Sequence, residues 1–97
     1  MELTFKAELF PWEANPSWVF VALPAKEADD IEGAAPMTGG FGSVKVNVTV
    51  GDTRWSTSLF PSKELETYVL PMKKAVRQAE DLQVGDTVTI TVEIVHL

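Results

Sequence analysis

The chain has 97 residues, 45% apolar content and a formal net charge of −6, values typical of one globular domain spanning residues 1–97. It has no cysteine, which excludes disulfides and thiolate chemistry and fits a reducing, cytoplasmic location. The acidic balance argues against non-specific nucleic-acid binding, no apolar run reaches the roughly 18 residues of a membrane span, and the N-terminus lacks a secretory pattern.

The first third of the chain predicts two strands. Residues 3–9 alternate apolar and polar side chains, which is typical of a half-buried strand, and the Phe10-Pro11-Trp12 segment is expected to end it. Residues 13–16 then form a loop. Residues 18–23 are continuously apolar and predict a strand that is covered on both faces.

A short helix is predicted next, over residues 25–32, with an acidic outer face, Ala28 and Ile31 on its apolar side and Gly33 as its terminator. The following loop, residues 34–42, is rich in glycine. A phosphate-binding loop would need a Lys-Ser/Thr pair and a helix after it, and here a strand follows. A flexible turn is therefore the preferred interpretation.

The clearest feature of the sequence is a hairpin. Residues 44–50 alternate valine with polar side chains, Gly51-Asp52 is a two-residue turn, and residues 53–60 form the return strand. This register pairs Val50 with Thr53 and places the residues of the return strand that share the valine face: Trp55, Thr57 and Leu59. The opposite face carries Lys45, Asn47, Thr49, Arg54, Ser56, Ser58 and Phe60.

The last third predicts a turn at 61–66, a strand at 67–70, and a helix over 72–80 that Pro71 introduces, since proline is favoured at the start of a helix. The apolar side of that helix consists of Met72, Ala75, Val76 and Ala79. A turn at 82–86 leads to an alternating strand at 87–94. The fold class is therefore mainly β: a small closed or split β-barrel of about six strands with two short α-helices.

Several ordered motifs resemble the bacterial and archaeal DUF1905 family, a domain of unknown function. They include Trp55-Ser56-Thr57-Ser58-Leu59-Phe60-Pro61, Tyr68-Val69-Leu70-Pro71-Met72-Lys73-Lys74 and Leu82-Gln83-Val84-Gly85-Asp86. The resemblance covers nearly the whole chain and implies a double-split β-barrel of the type seen in AbrB-like regulators. The resemblance implies that in other proteins this domain is joined to a second one associated with bacteriocin resistance, and we expect this chain to lack that partner. The family implies no catalytic residues.

Charge is distributed unevenly along the sequence. Residues 41–78 carry six basic and three acidic side chains, net +3, whereas the flanking segments are net −5 and −4. This basic segment predicts a binding site for a small anion, helped by the start of the second helix, with these candidate residues: Lys45, Arg54, Ser56, Ser58, Lys73, Lys74 and Arg77. The alternative is that these are ordinary solubilising charges.

Catalysis and metal binding have little support in the sequence. His96 is the single histidine, and the Asp29, Asp30 and Glu32 group lacks calcium-loop spacing, so it is better interpreted as a solvated helix face. Ser56, Thr57 and Ser58 have no histidine near them in sequence to act as a base, and they fit strand propensity. We expect no catalytic residue, no metal and no cofactor.

Two other functions stay open beside anion binding. An AbrB-like barrel suggests a nucleic-acid-binding regulator, although fold analogy is a weak argument and the net charge opposes it. Trp12 and Trp18 flank a proline-containing loop and could anchor a protein partner. The preferred interpretation of these tryptophans is that they plug the end of the barrel.

Overall fold

The computed structural model describes residues 1–34 and 42–95. Seven strands form one sheet: β1 (Glu2–Glu8), β2 (Phe10–Trp12), β3 (Asn15–Ala22), β4 (Val44–Val50), β5 (Thr53–Ser62), β6 (Thr67–Pro71) and β7 (Thr87–Ile94). The helices are α1 (Ala25–Ala34) and α2 (Lys74–Ala79). The predicted mainly β fold with two short helices is confirmed.

The sheet has the order β1-β7-β4-β5-β6-β3-β2 and curls into a half-barrel. All its neighbouring strands run antiparallel. Strand β5 belongs to both halves of the curled sheet, because its residues up to Leu59 pair with β4 and its residues from Phe60 pair with β6. The two halves of the sheet therefore share one continuous strand.

The β4–β5 hairpin has the predicted register, with Val50 opposite Thr53 and Val44 opposite Leu59. The four valines and Leu59 are buried, and Trp55 packs against them at the edge of the core. Alternation also placed the inner face of β1 correctly, since Phe5, Ala7 and Leu9 are buried. The apolar side of α1, Ala28 with Ile31, is buried as well.

Several predicted boundaries are wrong. Phe10-Pro11-Trp12 does not end a strand but forms a seventh one, β2, which pairs with β3. Because that hairpin is tight, β3 already begins at Asn15, where a loop over 13–16 was expected. The return strand of the hairpin continues to Ser62, past the predicted end at residue 60. Gly33 lies inside α1 and does not terminate it. The glycine-rich loop proper, residues 35–41, lies outside the described residues.

Pro71 ends strand β6 and does not begin α2, which starts three residues later at Lys74. Met72 donates its backbone N–H to Val19 O at 2.8 Å. In an antiparallel pair only every second residue of a strand bonds to the neighbouring strand, so the nitrogen of Pro71 points away from β3. A proline at this position therefore removes no hydrogen bond between β6 and β3. Pairing of β6 with β5 has already stopped at Val69. Of the predicted apolar side of this helix, Met72 and Val76 are buried, whereas Ala75 and Ala79 are exposed.

Candidate functional site

The half of the sheet formed by β5, β6, β3 and β2 is apolar on both faces. Its inner face belongs to the core, with Leu59, Leu70 and Val21 fully buried. The alternate positions lie on the other face, and the strand pairing sets Phe60 beside Val69 and Phe20 beside both Pro71 and Phe10. This outer face is the floor of an open groove of about 1180 Å³. We call it the aromatic groove, and its floor and walls include Phe10, Trp12, Trp18, Phe20, Phe60, Val69 and Pro71.

The two tryptophans stand at one end of the aromatic groove. Trp12 stacks on Trp18 with ring centroids 5.1 Å apart and meets the edge of Phe20 at 5.9 Å. They remain 43% and 53% exposed, so the prediction that they plug the barrel end is wrong. The outward position of Trp18 follows from strand alternation, since its neighbour Val19 takes the buried position. Phe60 and Leu65, further along the groove, are 44% and 47% exposed.

Three of the predicted cations also line the aromatic groove: Lys73, Lys74 and Arg77. Arg77 donates through Nε to Met72 O at 2.9 Å and through a terminal nitrogen to Ser17 O at 3.4 Å, which ties α2 to the start of β3. The second bond places the guanidinium beside the backbone of Ser17, one residue before Trp18. The two lysines are exposed and form no ion pair with any of the residues that the structure describes. Helix α2 has only six residues, so the cationic character of this end comes from side chains more than from a helix dipole.

The aromatic groove also carries two carboxylates, at different ends. Glu13 lies in the β2–β3 turn, at the tryptophan end, where the three cations outnumber it. Glu64 and Leu65 lie in the β5–β6 turn, at the other end, which the bond from Thr67 Oγ1 to Leu23 O places beside the C-terminal end of β3. One end of the groove is therefore net positive and the opposite end is lined by a carboxylate.

The remaining predicted site residues lie elsewhere. Lys45, Ser56 and Ser58 line a separate shallow depression of about 410 Å³ on the outer face of β4 and β5. Arg54 lines neither cavity and forms an exposed ion pair with Glu93 at 3.2 Å. The structure thus divides the predicted cluster into the cations of α2, the Lys45, Ser56 and Ser58 group, and Arg54 alone, because the hairpin face and α2 do not face the same cavity.

The polar face of the hairpin is held by its own hydrogen bonds. Ser56 Oγ donates to Asn47 Oδ1 at 2.6 Å, and Asn47 Nδ2 donates to the Glu93 carboxylate at 3.2 Å. That carboxylate also accepts from Arg54. The hydroxyl of Ser56 is therefore engaged by an amide, as expected of a strand residue rather than of an activated nucleophile.

Across residues 1–34 and 42–95, no three acidic or histidine side chains come together as a metal site. On α1, Asp30 pairs with Lys26 at 3.7 Å and both are solvent-accessible, as a solvated helix face requires. His96 lies outside the described residues. Within the same ranges, no helix has the length and apolar content to cross a membrane.

Burial affects two polar groups at the core: the pKa of Tyr68 and the hydrogen bonding of the Trp55 indole. Burial, together with the nearby Glu32 carboxylate, raises the pKa of Tyr68 above its ordinary value of 10.0. The buried indole N–H of Trp55 has no acceptor among the described residues. Neither group lines the aromatic groove.

Sequence reasoning missed the aromatic floor although a signal was present. Continuous apolar character at 18–23 predicts burial on both faces, and the hairpin register places Phe60 on the polar face. In both cases, apolar residues occupy strand positions whose side chains point away from the core. Together they indicate an outer surface that carries aromatic side chains.

These observations define a class: a small curled half-barrel with an aromatic surface groove that has oppositely charged ends. The model of the domain of unknown function DUF1905 matches residues 5–92. Because the match covers nearly the whole chain, the chain belongs to the DUF1905 family, which confirms the resemblance of its motifs. A search of curated proteins gives no match.

Proposed function

We propose that this protein is a binding module for a small amphipathic anion, held in the aromatic groove. The observation that carries the proposal is that exposed aromatic rings and the cations Lys73, Lys74 and Arg77 line one and the same space. The apolar part of the ligand contacts Phe20 and the tryptophan pair, and its anionic group lies beside the cations. The polar depression at Lys45 lacks such an apolar surface and supports the proposal less.

The magnitudes of the two interactions assign different roles to the aromatic floor and to the cations. Removing apolar surface from water contributes about 25 cal/mol per Å², so covering one ring gives most of the binding free energy. An exposed cation at about 4 Å from an anion contributes only about 1 kcal/mol in water. The apolar floor therefore supplies affinity, and the cations select for negative charge.

Titration calorimetry with naphthalene-2-carboxylate and its neutral carboxamide tests the proposal. We expect the carboxylate to bind and the amide to bind more weakly. The double variant Lys73→Gln/Lys74→Gln removes two cations at about 1 kcal/mol each, about 2 kcal/mol in all, which weakens the carboxylate about 30-fold and leaves the amide unchanged.

The matched control is Lys6→Gln/Lys45→Gln, which removes the same charge from two exposed lysines that do not line the aromatic groove. It should leave both affinities within about twofold, since distant surface charges are screened by salt. Equal binding of carboxylate and amide, or an equal loss in both double variants, contradicts the proposal.

A protein-interaction module is the second candidate, favoured by the exposure of Trp12 and Trp18 in a groove that Arg77 also lines, since Trp and Arg dominate binding hot spots. A peptide-display selection tests it. Enriched peptides that share a sequence pattern and lose binding to a Trp18→Ser variant support this function. Enrichment that survives the substitution argues against it. A nucleic-acid-binding regulator has no comparable observation, and the net charge of −6 opposes it.

A further inference from the structure

The floor of the aromatic groove is long and runs diagonally across the sheet. Phe60 on β5 and Trp12 on β2 are three strand intervals apart, which gives about 14 Å across the sheet. Along the strands, the pairs Phe60–Val69 and Phe20–Pro71 are two residues apart, and Trp18 lies two residues further. Four residues give about 14 Å in that direction, so the diagonal is about 20 Å long.

Charge is arranged along this diagonal in one direction. At the tryptophan end, Lys73, Lys74 and Arg77 outweigh Glu13, whereas Glu64 is the charged residue lining the far end. Lys63, in the same turn as Glu64, does not line the aromatic groove. A ligand anion is therefore attracted to one end and repelled from the other, while the floor between them is uncharged.

From this geometry we infer that the aromatic groove accepts a linear, single-chain amphiphile with one anionic head group. The inference rests on the proposed function and names its ligand class. The head lies beside Lys73 and Lys74, and an unbranched alkyl chain runs over Phe20 and Val69 toward Phe60 and Leu65. A compact aromatic anion fills only the tryptophan end, and a dianion with charges at both ends meets Glu64.

The chain length follows from the diagonal. An extended alkyl chain advances about 1.3 Å per carbon, given a C–C bond of about 1.5 Å, so about 15 carbons match about 20 Å. Complete burial of a methylene raises affinity about fourfold. Because the aromatic groove is open on one side, about half of that surface is covered, and we expect about twofold per methylene.

The experiment measures affinities of hexanoate, octanoate, decanoate and dodecanoate by calorimetry, below their aggregation concentrations, with circular dichroism to verify that the fold persists. Six added methylenes at twofold each predict about 60-fold tighter binding of dodecanoate than of hexanoate. Dodecylamine, with the opposite charge, should bind at least tenfold more weakly than dodecanoate. A flat affinity along the series, or equal binding of the amine, overturns the inference.

A variant at the far end provides the sharper test. Phe60→Ser should weaken pentadecanoate, whose chain spans the diagonal, at least fivefold and hexanoate less than twofold, because the short chain does not reach β5. Val84→Ser is the matched control, since Val84 is exposed and lies outside the aromatic groove. It should change neither affinity. If Phe60→Ser weakens both chains equally, or Val84→Ser has the same effect, the assigned direction is wrong.

Failure of this inference is distinguishable from failure of the proposed function. Suppose that naphthalene-2-carboxylate binds and is weakened by Lys73→Gln/Lys74→Gln, while the affinities of the alkanoates do not depend on chain length. The proposed function then stands, and the linear ligand is refuted. If neither the naphthalene compounds nor the alkanoates bind, both the proposed function and the inference of a linear ligand are refuted. Binding only to phosphatidylglycerol vesicles, or dimerisation through the aromatic groove that excludes dodecanoate, also refutes a free single-chain ligand.

Discussion

Gly51 should resist replacement for two separate reasons. Its φ of +57° lies in the left-handed region, where an alanine costs about 1 kcal/mol. A Cβ at this position would also collide with the carboxylate of Glu80, which packs against the turn at the C-terminal end of α2. Thr53 Oγ1 donates to that carboxylate at 2.6 Å, so displacing Glu80 breaks a hydrogen bond that joins helix and hairpin.

We expect Gly51→Ala to lower the free energy of unfolding by about 2–3 kcal/mol. About 1 kcal/mol comes from the backbone and about 1.5 kcal/mol from the lost bond to a charged acceptor. In a domain of this size that loss lowers the melting temperature by about 10 °C. Urea unfolding followed by circular dichroism measures it directly.

A double-mutant cycle with Glu80→Ala isolates the part of the cost that comes from displacing the Glu80 carboxylate. In the Glu80→Ala background the collision partner is gone, so Gly51→Ala should cost only about 1 kcal/mol. An equal cost in both backgrounds would refute the role assigned to Glu80. Gly33→Ala provides a reference of opposite sign, because Gly33 lies inside α1 with open space around it, and alanine should stabilise by about 0.5–1 kcal/mol.

Three further outcomes are expected. Leu59→Ala should cost about 3 kcal/mol and its neighbour Phe60→Ala less than about 1 kcal/mol in urea unfolding, since the first is fully buried and the second is exposed; equal losses contradict the alternation. Tyr68 has a raised pKa, so the unfolded chain ionises first and stability falls as the pH rises above 10.0; Tyr68→Phe should show a smaller fall, and an identical pH profile contradicts the burial effect. Replacing Trp12 and Trp18 by phenylalanine should remove most of the acrylamide quenching of tryptophan fluorescence, because the remaining indole packs against the core.

The sequence predicts this fold best where two local signals agree. In the β4–β5 hairpin, the Gly51-Asp52 turn and the valine alternation specify the same register, and the structure has that register. At Pro71 one local signal had two interpretations. Its fixed φ suits a first helical turn and also a strand end, and only the pairing of Phe20 with Pro71 decides between them. That pairing depends on a strand more than 45 residues earlier in the chain, which no local pattern reveals.

The candidate site was predictable in part. Lys73, Lys74 and Arg77 stood out by charge, and the structure gathers them. Their separation from Lys45 and Arg54 was not predictable, because it depends on where β5 leaves one half of the sheet for the other. The aromatic floor depends on the same change of partner, since the outward residues of four strands meet only after the sheet has curled.

The pairing of β1 with β7 has a consequence for how the molecule forms. Thr4 and Thr91 contact each other at 3.0 Å although 87 positions separate them in the chain. Such long-range pairing must overcome the entropy of closing a loop that includes most of the sequence, and it slows folding. During synthesis, the apolar side of β1 therefore stays without its partner strand until the ribosome has made residues 87–94. Its polar side, with Thr4, Lys6 and Glu8, keeps that waiting segment hydrated.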